Sequence, residues 1–131
     1  MLYYCLRRYG YVPYIFLKDS KGRTPVYEYL LSLKESGSKD ARIKANSISR
    51  CLYLLKQDGV SIGEPYVKHL DAEIWELRLI RDRILFAACL ENSFVLLHCF
   101  TKKTQKTPAG EIEKAKKELA YFVEEMKKNE Q

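Results

Sequence analysis

The sequence predicts an α+β domain in which a small antiparallel sheet carries helices, and three observations lead there. Residues 41–55 and 112–126 repeat apolar side chains at helical spacing. Three short apolar runs follow one another between residues 73 and 100, separated only by tight turns. The two patterns are segregated along the chain, in the order strand, two helices, three strands, helix.

Residues 11–18 (YVPYIFLK) read as a short strand, and Pro13 places it at a sheet edge or a strand start. A turn at Ser20-Lys21-Gly22 leads to Thr24-Pro25, which opens a helix. Thr24 is expected to cap the free amides, and proline at the first helical position loses no hydrogen bond. Val26, Tyr27, Leu30, Leu31 and Leu33 supply the apolar side, and Gly37 breaks the helix. A second helix starts near Ser38 to Asp40, buries Ala41, Ala45, Ile48, Leu52 and Leu55 as one stripe, and ends at Asp58-Gly59. The two form a helical hairpin.

After Gly63 the pattern changes. Residues 73–80 (EIWELRLI), 83–90 (RILFAACL) and 94–100 (FVLLHCF) are strand-like, with turns at 80–82 and at Glu91-Asn92-Ser93. Adjacent strands with tight connections predict an antiparallel meander. Thr107-Pro108 repeats the helix start. Ile112, Ala115, Leu119, Phe122, Val123 and Met126 give the last helix one apolar face, and Lys127 to Gln131 are expected to fray.

With 131 residues, 47% of them hydrophobic, the chain is expected to form one domain, 1–131, with a real core. No run approaches the ~20 apolar residues that span a bilayer. Arg7, Arg8 and Pro13 interrupt the N-terminus, which therefore lacks the apolar core of a secretory signal. A cytoplasmic protein without membrane association is the expectation. Cys5, Cys51, Cys89 and Cys99 form no C-x-x-C pair, so neither a zinc site nor any other metal is expected, and reduced thiols acting as small hydrophobes are. The net charge of +6 favours polyanionic partners, and its placement decides which.

If 73–80 and 83–90 pair through a short even-numbered loop centred between Ile80 and Arg81, Arg78 lies directly opposite Arg83. Trp75, Leu77, Leu79, Ile84, Phe86 and Ala88 then share an apolar face that packs on helices, and Glu76, Arg78 and Arg83 share the other. Two neighbouring arginines repel unless an anion or a carboxylate lies between them, so the pair can hold a phosphate. Glu76 is placed to orient Arg78, or to act as a general base. The segment FTKKTQKTP (100–108) sets Lys102, Lys103 and Lys106 among threonine hydroxyls, just before a helix N-terminus, and Glu91 is the only acid from 83 to 110. Its plain reading is a solvated loop. Beside the arginine pair it becomes a candidate anion site. His98 reads as a partly buried strand histidine or as a proton carrier at the edge of that site; His69 reads as structural. Gly-rich phosphate loops, H-E-x-x-H and G-x-S-x-G are absent.

The stretches GEPYVKHLDAEIWELR (63–78), RDRILFAA (81–88) and FVLLHCFTKKTQKTP (94–108) carry a resemblance that covers the chain from about Tyr14 to Phe122. The sequence resembles the HigB-like branch of the RelE/ParE toxin superfamily, with residues 1–10 as an extension ahead of the usual start. The resemblance implies a RelE-like fold: a twisted antiparallel sheet with helices on one face, built from an N-terminal helical hairpin and a C-terminal helix. It implies a type II toxin encoded beside a helix-turn-helix, HigA-like antitoxin, in a toxin–antitoxin heterotetramer. The implied activity is cleavage of messenger RNA on the ribosome without metal or other cofactor, by attack of the RNA's own 2′-hydroxyl. Carried over by motif, Arg78, Arg83, Lys102 and Lys103 are the catalytic candidates. Lys68, His98 and Lys106 are the RNA-binding candidates. One lysine of the pair is expected to transfer protons, with His98 as second choice. The superfamily also holds ParE-type members that inhibit DNA gyrase without cutting RNA, and fold alone does not separate the two activities. The arginine pair and the Lys-Thr loop favour RNA cleavage over gyrase inhibition or over RNA binding without catalysis.

Overall fold

A computed structural model describes residues 14–89 and 93–129. The expected extension at 1–10, the first part of the expected 11–18 strand, most of the Glu91–Ser93 turn and the last two residues of the tail lie outside the described residues. The elements run β1 (Tyr14–Phe16), α1 (Pro25–Ser36), α2 (Lys39–Asp58), a 3-10 turn at Gly59–Ile62, β2 (Val67–Asp71), β3 (Ile74–Arg78), β4 (Asp82–Cys89), β5 (Ser93–Thr101) and α3 (Ala109–Asn129).

Four strands form an antiparallel meander, and β1 adds parallel to β5, giving the order β1-β5-β4-β3-β2. Two sequence expectations change here. The sheet is mixed, not wholly antiparallel, because β1 pairs parallel to β5 while the α1–α2 hairpin carries the chain across to β2 at the opposite edge. It also holds five strands, since β2 pairs with β3 through Val67↔Leu77, Lys68↔Glu76 and His69↔Trp75. As the outer strand, β2 exposes Lys68 and His69 and buries Val67, so it lacks the apolar alternation by which strands are read.

The expected single helical face also gives way to two. Alternate side chains leave a strand on opposite sides. Leu77, Leu79, Ile84, Phe86, Phe94 and Leu96 pack with Val26 of α1 and with Ile48, Leu52 and Leu55 of α2. Ile74, Leu85, Ala87, Val95 and Leu97 pack with Ala115 and Phe122 of α3, together with Ile15 and Leu17 from β1 and the residue just after it. The sheet is thus the middle of three layers, with the hairpin on one side and α3 on the other. The predicted apolar face meets the hairpin as expected, except at Ala88, which is exposed and borders a groove beside α3. Trp75 packs at the edge of the hairpin core as an anchor.

Local signals explain the helix ends. The Ser38 hydroxyl accepts from the Ala41 amide and starts α2. Gly37, at φ 74°, takes the left-handed conformation that ends α1. The two threonines behave differently from expectation. Thr24 gives its amide and hydroxyl hydrogens to the Glu28 carboxylate, so the glutamate one turn later satisfies the helix start. At α3, the Pro108 carbonyl accepts from the Glu111 and Ile112 amides, which frees Thr107 for another partner. The last helix also continues through Lys127 and Lys128 to Asn129, past the point where fraying was expected.

A one-residue bulge sets the phase of β5. Leu85 pairs with His98 and Phe86 with Leu96, which leaves Leu97 as an extra residue. Leu97 and His98 therefore both serve the α3 side. Among the described cysteines, Cys51 and Cys99 are free thiols. Burial, then the Asp82 charge, pushes the Cys99 thiol up to about 12.

Leu55→Ala removes a fully buried side chain from the hairpin core and is expected to cost about 2–5 kcal/mol, read as a lower urea midpoint at unchanged slope. The raised thiol predicts that iodoacetamide at pH 8 leaves Cys99 unmodified in the folded protein and alkylates it in urea, as read by peptide mass spectrometry.

Candidate functional site

The β3–β4 hairpin closes with Leu79 N–H donating to the Asp82 carbonyl at 3.0 Å, so Ile80 and Arg81 form its tip. That even-numbered loop sets the register Arg78↔Arg83 across the two strands, as the sequence predicts. Both guanidinium groups turn to one carboxylate. Glu76 is wholly buried, and its Oε1 accepts from Arg78 Nε at 3.1 Å and lies 3.7 Å from Arg83 Nε. Its Oε2 accepts the Thr107 hydroxyl from the loop before α3. Glu76 is thus an orienting group with both oxygens engaged.

Arg83 is only 6% exposed. Its Nη1 donates to the Leu79 and Asp82 carbonyls at 2.9 and 3.0 Å, which fixes the guanidinium plane. Arg78 is half-buried at the rim, with Glu64 3.7 Å from its Nη1. The neighbouring Asp82 side chain points to the hairpin side. There it accepts from Tyr29 Oη of α1 at 2.6 Å and from Thr101 Oγ1 at 3.3 Å. Burial, followed by the Asp82 hydrogen bond and charge, raises the Tyr29 phenol well above its usual range.

The basic loop reaches the same end. Lys102 N–H donates to the Arg81 carbonyl at 2.7 Å, hooking the end of β5 onto the hairpin tip. Arg83, Lys102, Lys103, Lys106, Thr107 and Glu111 line one pocket of about 410 Å³. The structure therefore brings four sequence-predicted residues, Arg83, Lys102, Lys103 and Lys106, into one groove. Arg78 does not line it and joins through Glu76. Lys68 stands directly across from Glu76 on β2 and is exposed, on the same sheet face and outside the pocket. His98 is 2% exposed and turned away from solvent, with Nδ1 2.5 Å from Glu118 Oε1 and Nε2 2.9 Å from Glu111 Oε1. The partly buried strand histidine is the reading that fits. His69 is exposed, with Nε2 2.7 Å from the Ala72 carbonyl.

The sequence reading missed Glu111, Glu118 and Asp82 as parts of this end of the molecule. One signal was available: Glu111, Ala115, Glu118 and Phe122 recur at i, i+4, i+7 and i+11, so two acids share the apolar face of α3. Among the described residues no group of three His, Cys, Asp or Glu could hold a metal ion. The assembled groups can clamp an anion: two arginines share one buried carboxylate, and three lysines surround the mouth.

The family model described as Phage derived protein Gp49-like (DUF891) matches residues 38–120, from the start of α2 into the second half of α3. That span holds Arg78, Arg83 and the whole Lys-Thr loop. No curated protein matches the chain significantly.

Glu76→Ala leaves the buried Arg83 and the rim Arg78 without their shared carboxylate and is expected to cost about 3–5 kcal/mol in urea unfolding; Glu76→Gln, which keeps an acceptor oxygen, costs less. A second expectation concerns alkaline pH. The folded state holds the Tyr29 proton more tightly than the unfolded chain, so this stabilisation is complete below the ordinary phenol value of ~10 and is lost as pH rises through the raised folded value. Tyr29→Phe is therefore expected to show a shallower fall in urea midpoint between pH 10 and 12 than the parent protein.

Proposed function

Because the chain belongs to the phage-derived Gp49-like family, a toxin-like family of toxin–antitoxin systems, we propose that it is a toxin that cuts messenger RNA on the ribosome and is silenced by a helix-turn-helix, HigA-like antitoxin in a heterotetramer. The action is cytoplasmic, where ribosomes are. The observation that carries this reading is the Arg78↔Arg83 pair around one buried carboxylate, with Lys102, Lys103 and Lys106 at the mouth of the same groove.

The chemistry uses the substrate's own nucleophile. The 2′-oxygen attacks the adjacent phosphorus, the bond from phosphorus to the 5′-oxygen breaks, and the products are a 2′,3′-cyclic phosphate and a 5′-hydroxyl. Charge builds on the phosphoryl oxygens in the transition state, and positive groups fixed in place beforehand stabilise it most where water is scarce. Arg83, held by two carbonyls and Glu76, is such a group, with Arg78 beside it. Lys102 or Lys103 supplies the proton to the leaving 5′-oxygen. Lys68 and Lys106 hold flanking phosphates. No metal takes part in this scheme. In this scheme the ribosome positions the message.

Lys103→Ala changes a solvent-exposed residue, so the protein is expected to stay folded while growth arrest on induction disappears. Primer extension after induction is expected to give defined cuts within coding regions, and purified protein is expected to cut message only when translating ribosomes are present. Intact messages with broken chromosomal DNA would instead identify a ParE-like gyrase inhibitor. Full toxicity of both Lys103→Ala and Arg83→Ala would remove the proposed site.

A further inference from the structure

Resting on the nuclease reading, we propose that Glu111 is the general base of the reaction, positioned by a buried Glu111–His98–Glu118 chain in the wall of the basic pocket. Cleavage needs two proton transfers, and lysines account for only one. The pocket contains a single carboxylate besides its cationic lining residues. Glu111 lines it, with 31% of its side chain exposed.

Glu111 Oε1 meets His98 Nε2 at 2.9 Å, and Oε2 has no hydrogen-bond partner among the described residues. One oxygen is fixed and the other is free for a substrate hydroxyl. His98 cannot swing away: its Nδ1 lies 2.5 Å from Glu118 Oε1, Leu85 stands opposite it on β4, and the Phe100 ring is 6.1 Å from its own. Carboxylate oxygens only accept, so the imidazole donates toward Glu111 whenever Nε2 carries its hydrogen. Facing Glu111 are His98 from β5, Arg83 from β4, and Lys102, Lys103 and Lys106 from the loop. Glu118 lies behind His98, and Glu76 is closed off by its arginines and Thr107.

The β5 bulge makes this arrangement possible, because it turns His98 to the α3 side. A structural latch alone would be satisfied by one carboxylate on a buried histidine. Here the second carboxylate opens into the phosphate pocket. In the step itself, Glu111 Oε2 takes the 2′-hydroxyl proton as the 2′-oxygen bonds to phosphorus. The 5′-oxygen leaves with its electron pair and takes a proton from Lys102 or Lys103. Glutamic acid and neutral lysine then exchange protons through water. Glu111 is the catalytic residue; His98 and Glu118 are positioning residues.

The test is single-turnover cleavage on programmed ribosomes at pH 7, with two RNAs, one normal and one carrying sulfur in place of the 5′-bridging oxygen at the cut. A thiolate leaves without needing a proton. Glu111→Gln is expected to slow cleavage of the normal RNA by about 10²–10⁴-fold. The same defect should persist on the sulfur substrate, whereas the defect of Lys103→Ala should largely vanish there. Glu111→Asp, which keeps the charge and withdraws the carboxylate, should slow cleavage with urea stability close to that of the parent, and His98→Gln should slow the parent but add little in the Glu111→Gln background. Glu111→Gln cleavage within threefold of the parent overturns the base assignment while leaving the nuclease reading intact. A Glu111→Gln defect rescued by the sulfur substrate also overturns it, since that marks an acid. A parent protein that cuts neither RNA overturns the nuclease reading and the base together.

Discussion

Everything at the working end of the molecule depends on one carboxylate out of water. Glu76 lies in the middle strand of the meander's first three, and both arginines beside it face its Oε1. Two adjacent guanidinium groups without an anion would repel each other, and a buried carboxylate without cations would be costly to desolvate. Together they form a cluster with net positive charge whose geometry is already set before a phosphate arrives. The Thr107 hydroxyl on the other oxygen extends the same constraint to the loop that carries the lysines. The sheet and the basic loop are thus joined by a side chain that solvent does not reach.

Two further ties keep this end rigid. Lys102 is bonded through its backbone to the hairpin tip, and Tyr29 reaches from α1 to Asp82 at the start of β4. The pocket therefore draws on all three layers: Asp82 anchors it to the hairpin, Arg83 belongs to the sheet, and Glu111 belongs to α3. A pocket assembled across layers loses its geometry when any layer shifts.

The arginine register was legible in the sequence because it is a local matter. An even-numbered turn and period-two alternation suffice to put Arg78 opposite Arg83. The buried stripe of α2 was legible for the same reason, as periodicity within one element. What escaped notice depends on distant partners. The parallel pairing of β1 leaves no turn signal, and β2 was hidden by its exposed Lys68 and His69. The side of the sheet that α3 covers is set by chain path, so the meeting of Glu76 with Thr107, 31 residues apart, has no local trace. His98 was identified as a candidate, but its side of the sheet could not be read, because a bulge inserts one residue without a distinctive composition.

The bulge makes β5 two alternating segments joined out of phase. Upstream of Leu97, one parity of residue number faces the helical hairpin; downstream, the other parity does. A one-residue insertion or deletion in this strand would not be absorbed as it is in a surface loop. It would exchange the hairpin side for the α3 side over half the strand; on the downstream side of Leu97 it would move Cys99 toward the last helix and Phe100 toward the hairpin. Divergence within this lineage should therefore leave the length of β5 almost unchanged.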